Sequence, residues 1–179
     1  MITDLLIQPM LKTNRLHLRP FTQEDAKTVQ LLAGDKRIAQ MTQTIPHPYP
    51  DGTAENWIAG HAAAFRQKTE IVFAIELQSS TQLIGAVSLL HIDKNHSSAE
   101  IGYWLGVPYW GQGYATEALL RLLQFAQDDL QLRQFFGQCF ANNVASAKVL
   151  KKAGLVQQDL SEQINNIGVE EQQLFFRLG

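Results

Sequence analysis

Several kinds of protein are excluded by what this chain of 179 residues lacks. Its single cysteine, Cys139, rules out an internal disulfide and favours a reducing compartment, so we expect a cytoplasmic protein. No apolar run approaches the roughly 20 residues of a membrane span, and the first nine residues lack the basic start and long apolar core of a signal peptide. The net charge of −2 offers no broad basic surface for nucleic acid, and the histidines and the cysteine lack metal-ligand spacing. We therefore expect no membrane, nucleic acid or metal ion among its partners.

The hydrophobic residues, 45% of the chain, change their spacing in a way that predicts one mixed domain over residues 1–179. Spacings of three and four residues indicate helices over residues 22–34, 53–65, 115–127 and 145–153. Alternate spacing indicates strands over residues 16–20, 71–77, 83–91, 98–107, 135–141 and 174–178. Residues 45–52, 93–98 and 161–168 are predicted loops. The pattern predicts an α+β fold, in which helices flank a mixed, mostly antiparallel central sheet.

The most informative segment is a glycine loop between a predicted strand and a predicted helix. Gly111 and Gly113 have no Cβ, so the backbone can take positive φ and approach a ligand closely. The amides of Tyr114, Ala115 and Thr116 open the helix and have no acceptors within it. Free N–H groups at the positive end of a helix dipole predict a site for an anion, most simply a phosphorylated ligand.

Two common phosphate-binding motifs do not fit this loop. A P-loop ends in Gly-Lys-Ser/Thr, whereas Gly113 is followed by Tyr114 and Ala115. A dinucleotide fingerprint needs a third glycine where Thr116 stands, and an acidic residue on the next parallel strand. The segment after the predicted helix, residues 134–140, contains no acid. The identity of the ligand therefore depends on the segments around the loop.

Four segments in order resemble the GNAT superfamily of N-acetyltransferases, in particular its ribosomal-protein N-acetyltransferase (RimJ/RimL-type) branch. They are Leu11-Lys-Thr-Asn-Arg-Leu-His-Leu-Arg-Pro-Phe21, Pro48-Tyr-Pro-Asp51 before a helix with Trp57, Glu100-Ile-Gly-Tyr-Trp-Leu105 through Glu117-Ala-Leu119, and Asn143-Val-Ala-Ser-Ala-Lys-Val-Leu-Lys-Lys-Ala-Gly-Leu155. Together they cover nearly the whole chain. The superfamily loop often begins with Gln or Arg, where this chain has Trp110, and Trp-Gly at that point fits the branch.

The resemblance implies acetyl-CoA as the donor. Its pyrophosphate is expected on the amides of Gln112 to Thr116, and its pantetheine arm along Trp104 to Val107, where the next strand diverges in the family. Asn143 can cap the following helix and is also expected to reach pantetheine. The residues expected to bind the co-substrate are therefore Trp104, Leu105, Val107, Gly111, Gln112, Gly113, Tyr114, Ala115, Thr116 and Asn143.

Transfer to an amine requires a base, a polarised carbonyl and a stabilised thiolate. Glu100 begins the strand that leads to the glycine loop, and it is either the general base or a solvated strand-end carboxylate. Backbone amides near Leu105 are expected to polarise the thioester carbonyl. Ser146 stands where many family members have a hydroxyl near the cofactor sulfur, so it either assists thiolate departure or is an ordinary helix-start residue.

Other residues receive weaker expectations. Tyr103 and Trp104 alternate along one strand, so only one of them is expected to face the cleft. Glu117 is expected to point away from the phosphates. His61 is more often a packing residue than a catalytic one in such a helix, and Cys139 is expected to be buried and inert.

The sequence thus predicts an acetyl-CoA-dependent transfer to a primary amine, such as the N-terminal amine of a ribosomal protein, by a monomer or homodimer. Two alternatives remain open. One is acetylation of a small amine such as a polyamine or an aminoglycoside, and the other is a non-catalytic acyl-CoA-binding module. The acceptor is expected to contact residues 39–53 and 161–168, which carry no readable code for its identity.

Overall fold

Alternating apolar residues build a sheet, and segments with helical spacing cover its two faces. The computed structural model describes residues 7–159 and 173–179. The strands are β1 (Leu11–Lys12), β2 (Leu16–Arg19), β3 (Ile71–Leu77), β4 (Leu83–Asp93), β5 (Ser98–Leu105), β6 (Gln134–Phe140), β7 (Val156–Gln158) and β8 (Gln173–Leu178). The helices are α1 (Ala26–Ala33), α2 (Lys36–Ala39), α3 (Thr53–Gln67), α4 (Tyr114–Asp128) and α5 (Val144–Lys152).

One sheet contains all eight of these strands, in the order β1-β2-β3-β4-β5-β6-β8-β7. Every neighbouring pair in that order is antiparallel except β5 and β6, which run parallel and are connected through α4. The parallel pair is short. Its register joins Ser98 to Gln134, Ala99 to Phe135 and Glu100 to Phe136, after which the two strands are no longer paired.

Two apolar clusters lie on opposite faces of the sheet. The larger one joins α4 and α5 to the sheet through residues such as Leu119, Leu122, Phe125 and Leu150, all almost fully buried. The smaller one joins α1 and α3 to the sheet through residues that include Val29, Ala54 and Ile58, with Trp104 partly buried against it. Because adjacent residues of a strand face opposite sides, successive residues of β5 contribute to different clusters.

A charged network fixes β2 against the start of the first helical segment. Both guanidinium nitrogens Nη1 and Nη2 of Arg19 donate to Asp25 at 2.8 Å, and its Nε donates to Glu76 at 2.6 Å. The three side chains are largely withdrawn from solvent, with exposed fractions of 23%, 10% and 13%. Removing the cation would therefore leave two poorly solvated carboxylates.

The predicted α+β fold and the mostly antiparallel sheet are confirmed, with some differences at the ends of elements. The first predicted strand, expected to end near Pro20, is the second strand of a short hairpin, β1–β2, and ends at Arg19. The short strand β7 and the one-turn helix α2 were not predicted, because two to four residues are too few to show a period. The predicted loop at residues 161–168 lies outside the described residues.

Neither a membrane-spanning helix nor a metal-binding cluster occurs among the described residues. None of the helices at residues 7–159 is long and apolar enough to cross a membrane. Within residues 7–159 and 173–179, no three His, Cys, Asp or Glu side chains come together in a way that would hold a metal ion.

Candidate active site

The divergence of β5 from β6 opens a cavity of about 480 Å³. Its walls come from the ends of these two strands, the glycine loop, the start of α5 and the segment that contains α2. This volume lies within the usual range of small-molecule sites, roughly 300–1,000 Å³. The cavity therefore occupies the place where a sheet that is continuous elsewhere has a gap.

Both faces of β5 contribute to this cavity. Trp104 and Gly102 line it from the face of α1 and α3, and Tyr103 and Leu105 line it from the face of α4 and α5. The prediction that only one of Tyr103 and Trp104 faces the cleft was therefore wrong. It assumed an unbroken sheet, whereas the gap beside β5 lets the cavity pass from one face to the other.

The glycine loop has the conformation that the sequence predicts. Gly111 and Gly113 have φ values of 74° and 82°, which favour glycine. Gly113 is the N-cap of α4, and the first helical hydrogen bond from the amide of Glu117 reaches its carbonyl at 3.0 Å. The three preceding amides, at residues 114–116, consequently have no acceptor in the helix. They form an anion site at the mouth of the cavity, since Gly111 and Ala115 both line it.

Arg15, from the hairpin β1–β2, lies against the outside of this loop. Its Nη1 donates to the carbonyl of Gln112 at 3.0 Å, and its guanidinium carbon lies 4.5 Å from the centre of the Tyr114 ring. Its Nε donates to Glu117 at 2.6 Å, and Thr13 donates to the same carboxylate at 2.6 Å. A positive charge is thus fixed beside the predicted phosphate position, a contact that the sequence analysis did not anticipate.

Glu117 is fully engaged by that hairpin. Burial opposes its ionisation, but the hydrogen bonds from Thr13 and Arg15 outweigh burial and lower the pKa of the carboxyl below its ordinary value. The carboxylate therefore remains charged and is turned toward Thr13 and Arg15.

At the other wall, Ser146 forms a hydrogen-bonded pair with Tyr103. The two hydroxyl oxygens are 2.7 Å apart, and the Tyr103 hydroxyl lies 3.1 Å from the carbonyl of Ser146. If Tyr103 donates to the carbonyl, Ser146 is the donor in the hydroxyl pair. Burial raises the pKa of Tyr103 well above its ordinary value, so the phenol stays protonated. Asn143 caps α5 as predicted, because its Oδ1 accepts from the amide of Ser146 at 3.1 Å.

Glu100 lies where the parallel pairing ends, and both of its carboxylate oxygens have partners. Gln138 of β6 donates to Oε1 at 3.0 Å, and Nδ1 of His91 lies 2.9 Å from Oε2. The side chain is 28% exposed and lines the cavity. Among the described residues of the cavity wall, Glu100 is the one with a charged side chain.

The backbone near Leu105 also has a useful orientation. Leu105 lies opposite Gly85 in β4, and the amide of the next residue, Gly106, donates to the carbonyl of Ile84 at 2.8 Å. Successive N–H groups along an extended strand point to opposite sides. The amide of Leu105 therefore points away from β4, toward the side from which β6 has diverged.

The predicted site residues fall into two groups by position. Those that line the cavity are Glu100, Trp104, Leu105, Gly111, Ala115, Asn143 and Ser146. Those outside its wall are Val107, Gln112, Gly113, Tyr114 and Thr116, which belong to the loop and to the first turn of α4 at its mouth. The cavity also contains Gln138, which was not predicted, and Thr42, which belongs to the segment 39–53 that was expected to contact the acceptor.

Cys139 and His61 are both buried, as expected. Cys139 nevertheless lines the cavity, and burial raises the pKa of its thiol above the ordinary value, which disfavours the reactive thiolate. His61 does not line the cavity. It packs against Phe21 and Trp57, with ring centroids 5.5 Å and 4.5 Å away, and burial lowers its pKa to about 4.

Comparison with known families identifies the class of this site. A family model described as "Acetyltransferase (GNAT) domain" matches residues 15–156, which is well over half of the chain. This chain belongs to the GNAT acetyltransferase family. Its match includes β5, the glycine loop, α4, β6 and α5, which together form the cavity described above. Acetyl-CoA is accordingly its co-substrate, and the predicted acetyltransferase activity is confirmed at the level of the family.

Individual relatives of this GNAT domain are distant in sequence. It is 26% identical over 155 residues to the uncharacterized N-acetyltransferase YoaA of Bacillus subtilis (strain 168), covering 87% of each chain. It is 35% identical over 75 residues, 42% of each chain, to the ribosomal-protein-serine acetyltransferase of Escherichia coli (strain K12). The structure of the microcin C7 self immunity acetyltransferase MccE in complex with acetyl-CoA and AMP superposes with a TM-score of 0.77 at 21% identity, covering 92% of each chain.

The residues of this GNAT domain suit acetyl-CoA. The free amides at the start of α4 and the nearby Arg15 suit the pyrophosphate, and the gap between β5 and β6 suits an extended pantetheine arm. Ser146 lines the same gap.

Proposed function

We propose that this enzyme transfers the acetyl group of acetyl-CoA directly to the N-terminal amine of a protein, such as a ribosomal protein, in a ternary complex. The observation that carries the proposal is the composition of the cavity wall. In its described part, neutral hydrogen-bonding side chains surround one carboxylate, that of Glu100. The partial likeness to a ribosomal-protein-serine acetyltransferase supports the same acceptor.

Glu100 is the general base in this proposal. An ammonium group in the cavity transfers one proton to the carboxylate, which leaves a neutral amine and a carboxylic acid. Gln138 keeps the carboxylate facing the cavity through its hydrogen bond to Oε1. The neutral nitrogen then attacks the thioester carbonyl carbon.

The other groups stabilise charge as the carbon–sulfur bond breaks. Negative charge that develops on the carbonyl oxygen is met by the backbone amide of Leu105, which points into the gap beside β5. The departing thiolate accepts a hydrogen bond from the hydroxyl of Ser146. Tyr103, a protonated phenol 2.7 Å away, then donates to the Ser146 oxygen rather than accepting from it, which leaves the Ser146 proton for the sulfur. The nitrogen loses its second proton as the amide forms and the thiolate takes up one proton, so the products are the acetylated amine and CoA in its thiol form.

The acceptor side of the cavity favours a peptide over a polyamine. Its wall between α2 and α3 contains Thr42, Gln43 and Thr44, and the start of α5 adds Asn142. These side chains can bond to peptide N–H and C=O groups. A polyamine carries several positive charges, and the described part of the wall offers one carboxylate to balance them.

We also propose a cytoplasmic location and a monomer or homodimer without a nucleic-acid partner. The single, buried cysteine and the near-neutral net charge of −2 support these assignments.

The acceptor is tested by measuring CoA thiol release with a hexapeptide that has a free N-terminal serine, and with spermidine at equal concentration. We expect release with the peptide above the rate of acetyl-CoA hydrolysis. Replacement of Glu100 by Gln should lower kcat roughly 10²-fold, and the loss should shrink at high pH, where more of the amine is already neutral. The exposed Glu55 provides an isosteric control, Glu55→Gln, that should have no effect. Faster transfer to spermidine would refute the proposed acceptor, and a Glu100→Gln enzyme with the wild-type rate would place the base elsewhere.

A further inference from the structure

His91 contacts the proposed base from outside the cavity wall. Its Nδ1 lies 2.9 Å from Oε2 of Glu100, while the side chain of His91 is 74% exposed and that of Glu100 is 28% exposed. The pair thus connects a carboxylate that lines the cavity to an imidazole in contact with bulk solvent. His91 itself does not line the cavity.

The backbone is distorted at His91 in a way that creates this contact. Leu90 of β4 lies directly opposite Glu100 of β5, so these two side chains share one face of the sheet. In a regular strand the next residue, His91, would face the opposite side. Instead the register shifts between Leu90 and Asp93, and His91 has a φ of 48°, a value that few residues other than glycine adopt. A bulge of this kind re-aims a side chain, and here it turns the imidazole toward Glu100.

We propose that His91 is the outer member of a proton relay that returns Glu100 to its ionised form during each catalytic cycle. This inference rests on the proposed function, in which Glu100 accepts the proton of the acceptor amine. Glu100 then gives that proton to Nδ1 of His91, in the tautomer that carries its own proton on Nε2, and the resulting imidazolium releases its Nε2 proton to water or buffer. Because the ring is 74% exposed, proton exchange with solvent returns His91 to the starting tautomer. The carboxylate and the neutral imidazole are both restored, and no other reactant is required.

The surroundings of His91 allow it to serve this role. The other ionisable side chains of the same hairpin are engaged with one another, because Nδ1 of His96 lies 2.7 Å from Asp93 and Asp93 also accepts from the amide of Asn95 at 2.8 Å. Lys94 is the remaining charged residue of the turn. The second oxygen of Glu100 is held by the uncharged Gln138. Among the described residues that contact Glu100, His91 is therefore the one able to accept a proton.

The test compares two variants of His91 with a matched variant of His96, another exposed histidine that pairs with a carboxylate of the same hairpin. Thiol release is measured with acetyl-CoA and the serine peptide at saturation. His91→Asn keeps a polar side chain and tolerates the positive φ, but it cannot carry a proton. We expect His91→Asn to lower kcat about 10-fold with little change in KM, because regeneration of the base becomes the slow step, whereas His96→Asn keeps the wild-type kcat.

Rescue by buffer separates proton transfer from a structural role. In His91→Gly, which removes the imidazole and accommodates the backbone, raising the imidazole buffer concentration at constant ionic strength should restore kcat. The wild type and Glu100→Gln should not respond. An unchanged kcat in His91→Asn would overturn the relay, and so would a His91→Gly enzyme that imidazole does not rescue. In either case, a large loss of kcat in Glu100→Gln would still support Glu100 as the base. Absence of transfer to both the peptide and spermidine would overturn the proposed function and the relay with it.

Discussion

Because His61 is buried, we expect the free energy of unfolding to fall in mild acid. The side chain is 9% exposed, and neither ring nitrogen has a hydrogen-bond partner among the described residues. Phe21 and Trp57 pack against the ring, so the surroundings offer an imidazolium little solvation. Burial accordingly lowers the pKa of His61 from 6.5 to about 4.

The sign and size of the effect follow from this difference in pKa. Well above pH 6.5 the ring is neutral in both the folded and the unfolded chain, so it contributes no pH dependence. Between pH 6.5 and pH 4 the unfolded chain binds a proton that the folded chain does not, so acid favours unfolding. From pH 7 to pH 5 this linkage should remove about 2 kcal/mol from the free energy of unfolding, rising to about 3 kcal/mol well below pH 4.

The assay is urea denaturation at pH 7 and pH 5 for the wild type and for His61→Met, which suits the helix interior and has a similar volume. We expect the variant to be at least as stable at pH 7 and to lack about 2 kcal/mol of the loss at pH 5. His96→Gln is the control. In the wild type, the hydrogen bond between His96 and Asp93 raises the pKa of His96. The pair therefore stabilises the fold below pH 6.5, and this stabilisation is lost as the pH rises. Equal acid losses in the wild type and His61→Met would refute the assignment.

Three further substitutions test the site and the frame around it. Gly113→Val should abolish acetyl-CoA binding in isothermal titration, because the φ of 82° at Gly113 and the expected close approach of phosphate both exclude a side chain. The control variant Gly60→Val, on the open surface of α3, should bind acetyl-CoA normally. Ser146→Ala should lower the kcat of thiol release more than it weakens acetyl-CoA binding, because the thiolate develops mainly in the transition state; an unchanged kcat would leave Ser146 as a helix-start residue only. Arg19→Gln should lower the free energy of unfolding by about 3 kcal/mol, since two poorly solvated carboxylates lose their cation, while Arg37→Gln, in an exposed pair, should change chemical denaturation little.

Local features of the site could be predicted from the sequence because they depend on residue type. The positive φ values of Gly111 and Gly113 and the cap formed by Asn143 follow from what those side chains permit. The free amides at the start of α4 follow from any helix start. The order of the elements followed from the spacing of the apolar residues, and the family resemblance added acetyl-CoA as the ligand, which the family match supports.

Contacts between distant segments could not be predicted in this way. Arg15 lies about a hundred residues from Gln112, and nothing in either segment encodes their hydrogen bond. The approach of His91 to Glu100 depends on a bulge that reverses the direction of one side chain, whereas alternation alone would separate the two. Tyr103 was misjudged for a related reason, because the gap beside β5 is a property of the whole sheet.

Because the hairpin β1–β2 contacts the glycine loop, the loop is not a self-contained motif. Arg15 holds the carbonyl of Gln112 and covers the ring of Tyr114, while Thr13 and Arg15 anchor Glu117 in the first turn of α4. Grafting residues 109–119 onto another scaffold would transfer the free amides without the contacts from Thr13 and Arg15 that hold the loop in place. A shortened chain beginning at Leu16 would keep every glycine of the loop and lose the same contacts from Thr13 and Arg15. For protein engineering, the predicted phosphate site therefore consists of two segments that must be transferred or truncated together.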